Sequence, residues 1–280
     1  MTFQFIEYEK DGKKARIILN RPEKLNVLGR AMMEEVADAI DDATADDNIR
    51  VIILKGKGRA FSAGHDLTEP GQDIGLKPGA QRPTIRQLIQ SEQRRYSRMY
   101  QTIFHCPKPT IAQIHGVCVH GAFNTQLICD ITIAAEDTKI HLERLPLVVM
   151  PIYFPAGMLS LGFGERNLSM PMSARDAVRL GIINRAVPAD KLEETVEQLA
   201  DRIARVPSDT MELTKLVMNG VLDSASFSGA WHFSHFVHAT GTLQRFRPGE
   251  YNFLRERNRS GTSGAISEGM KVRQVGEGQS

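Results

Sequence analysis

Arg59-Ala60-Phe61-Ser62-Ala63-Gly64-His65-Asp66-Leu67 sets four small residues, a histidine and an acid in one short run. It follows Val51-Ile52-Ile53-Leu54-Lys55, a β-branched run closed by Gly56-Lys57-Gly58, which reads as a buried strand entering a turn. A strand that stops at small residues leaves backbone N–H groups without a ladder partner. Two readings follow: Ser62-Ala63-Gly64 is a tight corner, or it is a set of amide donors for an anion.

A second stretch of the same kind lies downstream. Thr110-Ile111-Ala112-Gln113-Ile114 reads as a strand ending at His115-Gly116, and Val117-Cys118-Val119-His120-Gly121 leads into a helix over Ala122 to Ile128. The N-terminus of a helix carries unpaired amides and partial positive charge, so Gly121 at its head also suits an anion.

In order and spacing the two stretches resemble the signatures of the enoyl-CoA hydratase/isomerase (crotonase) superfamily. Asn20-Arg21-Pro22 through Asn26-Val27-Leu28 is similar to that family's segment along the pantetheine and phosphate path, and Glu250 through Arg257 resembles its closing segment. The resemblance runs from about residue 3 to 257. It implies an α/β fold, a crotonase-like spiral of strand–helix repeats over residues 1–200 with a helical C-terminal oligomerisation region over 201–259. It also implies an acyl-CoA substrate, with coenzyme A as part of that substrate and no tightly bound cofactor, and assembly as a homotrimer or dimer of trimers. The amides of Ala63 and Gly121 are then the implied oxyanion hole, holding a thioester carbonyl as it becomes an enolate.

The acid–base positions depart from the family. Hydratases of this kind carry a glutamate three residues after the donor glycine, and here that residue is Asn124, whose amide takes no proton near neutral pH. The second family glutamate aligns with Arg144, with Glu143 one residue early, and a one-residue offset changes the direction a side chain faces. Met150-Pro151-Ile152-Tyr153-Phe154-Pro155 is bulky where relatives place glycines, and Tyr153 lends a hydroxyl. His65 falls inside the first signature stretch, His120 beside the Gly121 donor in the second, and His141 in the stretch aligned with the second family glutamate, and the three imidazoles form a candidate proton-transfer set; the plainer reading of His65 and His120 is a hydrogen bond to loop backbone. The expected catalytic set is Ala63, Gly121, His65, His120, His141 and Glu143. The expected substrate contacts are Asn26, Ala63, Gly64, His65, Asp66, Gly121, Asn124 and Tyr153, with Asp66 also fixing its loop. The implied activity is that of an acyl-CoA lyase or isomerase with reassigned acid–base groups. The alternatives are a histidine-driven carbon–carbon hydrolase of β-dicarbonyl compounds and a non-catalytic acyl-CoA-binding or assembly subunit.

The totals narrow the remaining classes. A formal charge of +2 on 280 residues, with no basic run interleaved with aromatics, argues against nucleic acid. Cys106, Cys118 and Cys129 lack CxxC spacing and predict reduced, buried thiols rather than a metal site. Met1 to Lys10 lacks the apolar core of a signal peptide, and no apolar run approaches the roughly 20 residues of a membrane span, so a cytoplasmic protein is expected. Strands are predicted over Phe3–Glu9 and Ala15–Leu19 across Asp11-Gly12, and a helix from about Arg30 to Ala43. A glycine- and proline-rich loop follows over Glu69–Pro83, then a helix over Ile85–Phe104. Ser173 is a predicted cap for a short helix ended by Gly181, and a further helix is expected over Lys191–Arg205. Ser208 caps the next, with Leu213, Leu216 and Val217 on its apolar face, and Phe227, Trp231, Phe233 and Phe236 form an expected oligomer interface. Glycine and serine from Ser260 onward predict a flexible tail over 260–280.

Overall fold

The computed structural model describes residues 2–66, 68, 84, 86–87, 98–141, 172–224 and 251–274. The chain opens with a hairpin in which β1 (Ile6–Asp11) and β2 (Lys14–Leu19) pair antiparallel, Ile6 opposite Leu19 and Asp11 opposite Lys14. Gly12 makes the turn possible with φ of +57°. The hairpin then seeds a parallel sheet. β2 is followed laterally by β3 (Val51–Gly56), β4 (Thr110–Ile114), β6 (Ile131–Ala135) and β9 (Arg185–Val187), giving the order β1-β2-β3-β4-β6-β9. A smaller sheet stacks β5 (Val117–Val119), β7 (Lys139–His141) and β8 (Met172–Ser173).

The β-branched runs of β3 and β4 are apolar on both faces because both are covered, as parallel strands require. Ile52, Leu54, Ala112 and Ile114 pack with Met32, Met33, Val36 and Ile40 of α1 (Arg30–Ala45) and with Met99 and Ile103 of α2 (Arg98–His105). Val51, Ile53, Ile111 and Ile133 on the opposite face pack with Leu192, Val196, Ala200 and Ile203 of α5 (Leu192–Ile203). α1 therefore owes its place to an apolar stripe at helical spacing. Its C-terminal end is held by the buried Lys108, whose Nζ donates to the carbonyls of Ala43 at 2.8 Å and Asp46 at 2.6 Å. A cation there complements the helix dipole.

The short α4 (Ala174–Arg179) starts as its sequence predicts, with Ser173 Oγ accepting from the Asp176 N–H, and Gly181 follows it at φ +72°. The three cysteines are buried free thiols, and burial pushes Cys129 up to about 12.

On the exposed edge of α5, Glu197 accepts from Arg16 Nε at 2.8 Å and from Lys14 Nζ at 2.7 Å. The Arg16 bonds outweigh burial, which acts in the opposite direction, and with help from Lys14 they hold the carboxyl at about 2 against its ordinary 4.5. A carboxylate whose folded pKa is depressed stabilises the fold above its unfolded value and loses that contribution as pH falls through the folded one. Glu197→Gln is therefore expected to cost about 1–2 kcal/mol at neutral pH, allowing for solvent at a partly exposed pair. The difference between variant and parent should close as the pH falls from about 4.5 toward 2, as denaturant titrations across that range will read.

In α6 (Ser208–Ser224) the expected apolar face lies on the surface of the chain, Leu213, Leu216 and Val217 being 61%, 68% and 63% exposed. The helix is anchored instead by the buried Lys215, whose Nζ donates to Asp130 Oδ2 at 2.8 Å and to the Lys108 carbonyl at 3.1 Å. The expected tail beyond Ser260 is helical as far as Gln274, within α7 (Phe253–Gln274), which is interrupted only where Gly261 takes φ +73°. Gly269 there serves packing: a Cβ on it would lie 3.1 Å from the Tyr251 ring, and the Tyr251 hydroxyl donates to the carbonyl of the buried Ala265 at 2.5 Å. The loop over Glu69–Pro83, most of the helix over Ile85–Phe104, the aromatic stripe from Ser226 to Leu243, Glu143 and Tyr153 lie outside the described residues. Among the described residues no helix is long and apolar enough to cross a membrane.

Candidate functional site

The two signature stretches lie side by side at the ends of β3 and β4. Phe61 N–H donates to the His115 carbonyl at 2.8 Å, and Ser62 N–H to that of Val117 at 3.0 Å, forming a parallel bridge between Ser62 and Cys118. On its other flank the first stretch meets residues 25–28. Ala63 N–H donates to the Leu25 carbonyl at 2.9 Å, Leu28 N–H to that of Gly64 at 2.7 Å, and Asp66 N–H to that of Leu28 at 3.0 Å. Residues 61–66 are thus the middle line of three, fixed on both sides by backbone.

This pairing engages the amide of Ala63, an expected donor. Its N–H is taken up by the Leu25 carbonyl, and the Gly64 N–H bonds Ser62 Oγ at 3.1 Å. His65 differs in direction. In the parallel bridge between Leu28 and His65 the two bonds run through the carbonyl of Gly64 and the amide of Asp66, so the N–H and C=O of His65 itself face away from Leu28.

Asn26, expected along the substrate path, is a fully buried staple. Its Oδ1 accepts from the Arg21 N–H at 2.8 Å, and its Nδ2 donates to the carbonyls of Lys57 and Ala60, both at 2.9 Å. Asp66 is also taken up within the loop: Oδ1 accepts from the Thr68 amide and hydroxyl, and Oδ2 from Arg21 at 3.1 Å. Burial pushes this carboxyl up, but the Thr68 bonds and the Arg21 guanidinium prevail, and it lies below its ordinary value. An ionised, tied carboxylate of this kind orients a loop and is not a proton donor near neutral pH.

The second side of the site is the head of α3 (Gly121–Ile128). Gly64 takes φ +85°, and a Cβ on it would stand 2.7 Å from the Val119 carbonyl oxygen and 3.0 Å from the Gly121 nitrogen. The first stretch therefore approaches the amide of Gly121 as closely as two backbones allow, which only glycine permits. His120, the N-cap residue, adopts φ +57° and ψ −124°, a conformation that favours glycine. Strain of that kind in a non-glycine residue costs about 1–3 kcal/mol. Its N–H donates to the His141 carbonyl at 3.1 Å, so β7 fixes the backbone that carries it.

The side chains gathered at this head are imidazole, phenol and amide. The His65 ring lies against the Cα of Gly121, where a Cβ would meet Nε2 and Cδ2 at 2.6 Å, and its centroid is 5.7 Å from that of His120 in edge-to-face contact. His65 Nε2 is 2.8 Å from the hydroxyl of Tyr100 on α2, which in turn donates to the Gly121 carbonyl at 3.2 Å. Asn124, one turn into α3, is 5% exposed, and its Oδ1 has no hydrogen-bond partner among the described residues. His141 is buried on β7, joined to this group through the backbone bond to His120. Sequence reasoning missed Tyr100. It stands beside the apolar residues of its helix, and only the 1% exposure of a hydroxyl-bearing ring marks it as needing a polar partner.

The family model described as enoyl-CoA hydratase/isomerase matches residues 9–260 of this chain. The chain belongs to the enoyl-CoA hydratase/isomerase family. EchA13 of Mycobacterium tuberculosis is 32% identical over 254 residues, covering 81% of this chain and 77% of that protein. A hydroxycinnamoyl-CoA hydratase-lyase of Pseudomonas fluorescens is 28% identical over 201 residues, covering 70% and 71%. The crystal structure of an enoyl-CoA hydratase from Mycobacterium smegmatis superposes with a TM-score of 0.81 at 26% identity, covering 97% of this chain and 94% of the other. The fold is accordingly that of crotonase. Within this family the chain carries Asn124 in α3 and an imidazole pair at its head.

Proposed function

We propose that the protein acts on an acyl-CoA thioester, polarising its carbonyl between two backbone amides, those of His65 and Gly121, with the proton moved by imidazole rather than carboxylate. The observation that carries this reading is the approach of Gly64 to the Gly121 nitrogen, which brings the 61–66 line against the positive head of a buried helix. Donors of this kind favour the charge of an enolate over that of the ground state. The first donor moves two residues along from Ala63 because Ala63 is bonded to Leu25, while the His65 peptide is directed to the opposite flank. Asn124 presents an acceptor oxygen where a carboxylate base would stand, so it orients a hydroxyl or water and leaves the proton to His65 or His120. The acyl-CoA enters and leaves as substrate, with the acyl carbonyl at the head of α3. An assembly of three or six copies belongs to the same reading, and the exposed apolar face of α6 is surface that such an assembly has available to bury.

His120 supports an imidazole role by its strain, since the same backbone conformation is open to glycine without penalty. His120→Gly is expected to raise stability by about 1 kcal/mol and to slow exchange of the α-proton of an acyl-CoA ester in heavy water by about 10²- to 10⁴-fold. Mass spectrometry of the recovered thioester reads the exchange, and thermal unfolding reads the stability. Exchange by the parent that survives undiminished in the glycine variant would remove His120 from the chemistry. Cleavage of a β-dicarbonyl compound lacking CoA, with no exchange on any thioester, would replace the reading by carbon–carbon hydrolysis.

A further inference from the structure

Asn124 carries a polar group that the described residues leave unused. It is 5% exposed on α3, and its Oδ1 has no hydrogen-bond partner among them. A buried acceptor without a donor costs free energy, so such a group points to a partner that arrives from outside the chain. The Asn124 N–H donates to the His120 carbonyl at 3.2 Å, which sets the residue one turn above the N-cap. Three residues of α-helix raise it about 4.5 Å from Gly121, and a helical side chain leans back toward the N-terminus. The amide therefore stands over the head of α3, where the thioester carbonyl is proposed to lie.

An amide differs there from a carboxylate in two ways: it bears no charge, and it donates as well as accepts. A carboxylate repels any further oxygen on which negative charge develops. An amide receives that oxygen in every state, Nδ2–H donating to a carbonyl or enolate and Oδ1 accepting from an enol hydroxyl. The acid that lies in the first stretch, Asp66, is already engaged by Thr68 and Arg21. We infer that Asn124 is a specificity-determining residue, and that the preferred substrate is a thioester with a second carbonyl at its β-carbon, a 3-oxoacyl-CoA. This rests on the thioester reading above for the place of the first carbonyl. The step is a proton transfer. The C–H bond between the two carbonyls breaks, the proton passes to an imidazole, and the electron pair spreads over two oxygens, one at the head of α3 and the other at Asn124. No other bond forms or breaks, and return of the proton restores the substrate.

The test compares acetoacetyl-CoA with butyryl-CoA, which differ only in the β-oxygen. Their dissociation constants are measured by equilibrium dialysis for the full chain and for Asn124→Leu and Asn124→Asp. The parent should bind acetoacetyl-CoA about 10- to 100-fold more tightly, the worth of one hydrogen bond to a charged group. The ultraviolet band of the enolate should appear on binding at a pH where the free thioester is ketonic. Asn124→Leu keeps the volume and removes the amide, so the ratio should fall below about threefold while Tm stays level or rises, since a buried unpaired oxygen is gone. Asn124→Asp should bind acetoacetyl-CoA more weakly still and show no enolate band. A parent that binds and exchanges both thioesters without preference, or a preference that survives in the leucine variant, would overturn this inference alone and leave Asn124 holding a water. Binding of neither thioester would overturn the thioester reading and this inference with it.

Discussion

Gly64→Ala should slow exchange of a thioester α-proton by about 100-fold or more, the loss associated with one oxyanion donor. A Cβ at this position would stand 2.7 Å from the Val119 carbonyl oxygen, 2.7 Å from His120 Cβ and 3.0 Å from the Gly121 nitrogen. Two of these are backbone atoms, so the loop and the head of α3 must separate, and it is their separation that sets the distance between the two proposed donors. The backbone also resists: φ of +85° costs a residue with a Cβ roughly 1–2 kcal/mol. Gly12→Ala isolates that part. Gly12 takes φ +57° with nothing within 4 Å of an added Cβ, so this variant should lose a similar increment of stability and keep full exchange. Equal activity in the two variants would mean that the approach of Gly64 to Gly121 has no bearing on the chemistry.

Asn26→Ala should destabilise the protein by about 3–5 kcal/mol, since three backbone groups in a closed interior lose their partner at once. The groups are the Arg21 N–H and the carbonyls of Lys57 and Ala60. Asn26 itself sits at φ +52°, where asparagine is better tolerated than alanine. In a protein of this size the loss corresponds to about 10 °C in Tm. Asn26→Asp keeps the acceptor for Arg21 and removes both donations, so it should also fall well below the parent. In each variant, KM for an acyl-CoA measured on the folded fraction should stay near that of the parent. A raised KM with unchanged Tm would return Asn26 to the substrate path where the sequence first places it.

These two residues also show where sequence reading stops. The strands announce themselves through β-branched runs bounded by glycine and proline, and Thr110–Ile114 carries the bounds read from its residues. Gly121 at the head of α3 is equally legible, because the change from strand to helix fixes where the free amides must lie. The first proposed donor is not fixed that way. Which amide in 62–66 turns away from residues 25–28 depends on pairing with Leu25 and Leu28, far back in the chain, and a motif read along one line cannot report the direction of a peptide set by its neighbours. The bonding of Asn26 is hidden for a related reason: an asparagine in a loop reads as available until its three partners are seen. Tyr100 is hidden in an amphipathic helix, where an aromatic ring is ordinary core and only its 3.2 Å contact with the Gly121 carbonyl and its 2.8 Å contact with His65 set it apart. Ser260 to Gln274 inverts the usual signal, since glycine there permits the close seat of Tyr251.

The most direct measurement is isotope-edited infrared spectroscopy of an acyl-CoA carrying ¹³C at its carbonyl, bound to the parent protein and to Gly64→Ala. Two amides converging on the carbonyl oxygen at the head of a buried helix weaken the C=O bond. The band should therefore lie below its frequency in solution when bound to the parent and return toward it in the alanine variant. A bound thioester whose carbonyl absorbs at its solution frequency in the parent would contradict the proposed oxyanion hole, whatever the histidines do.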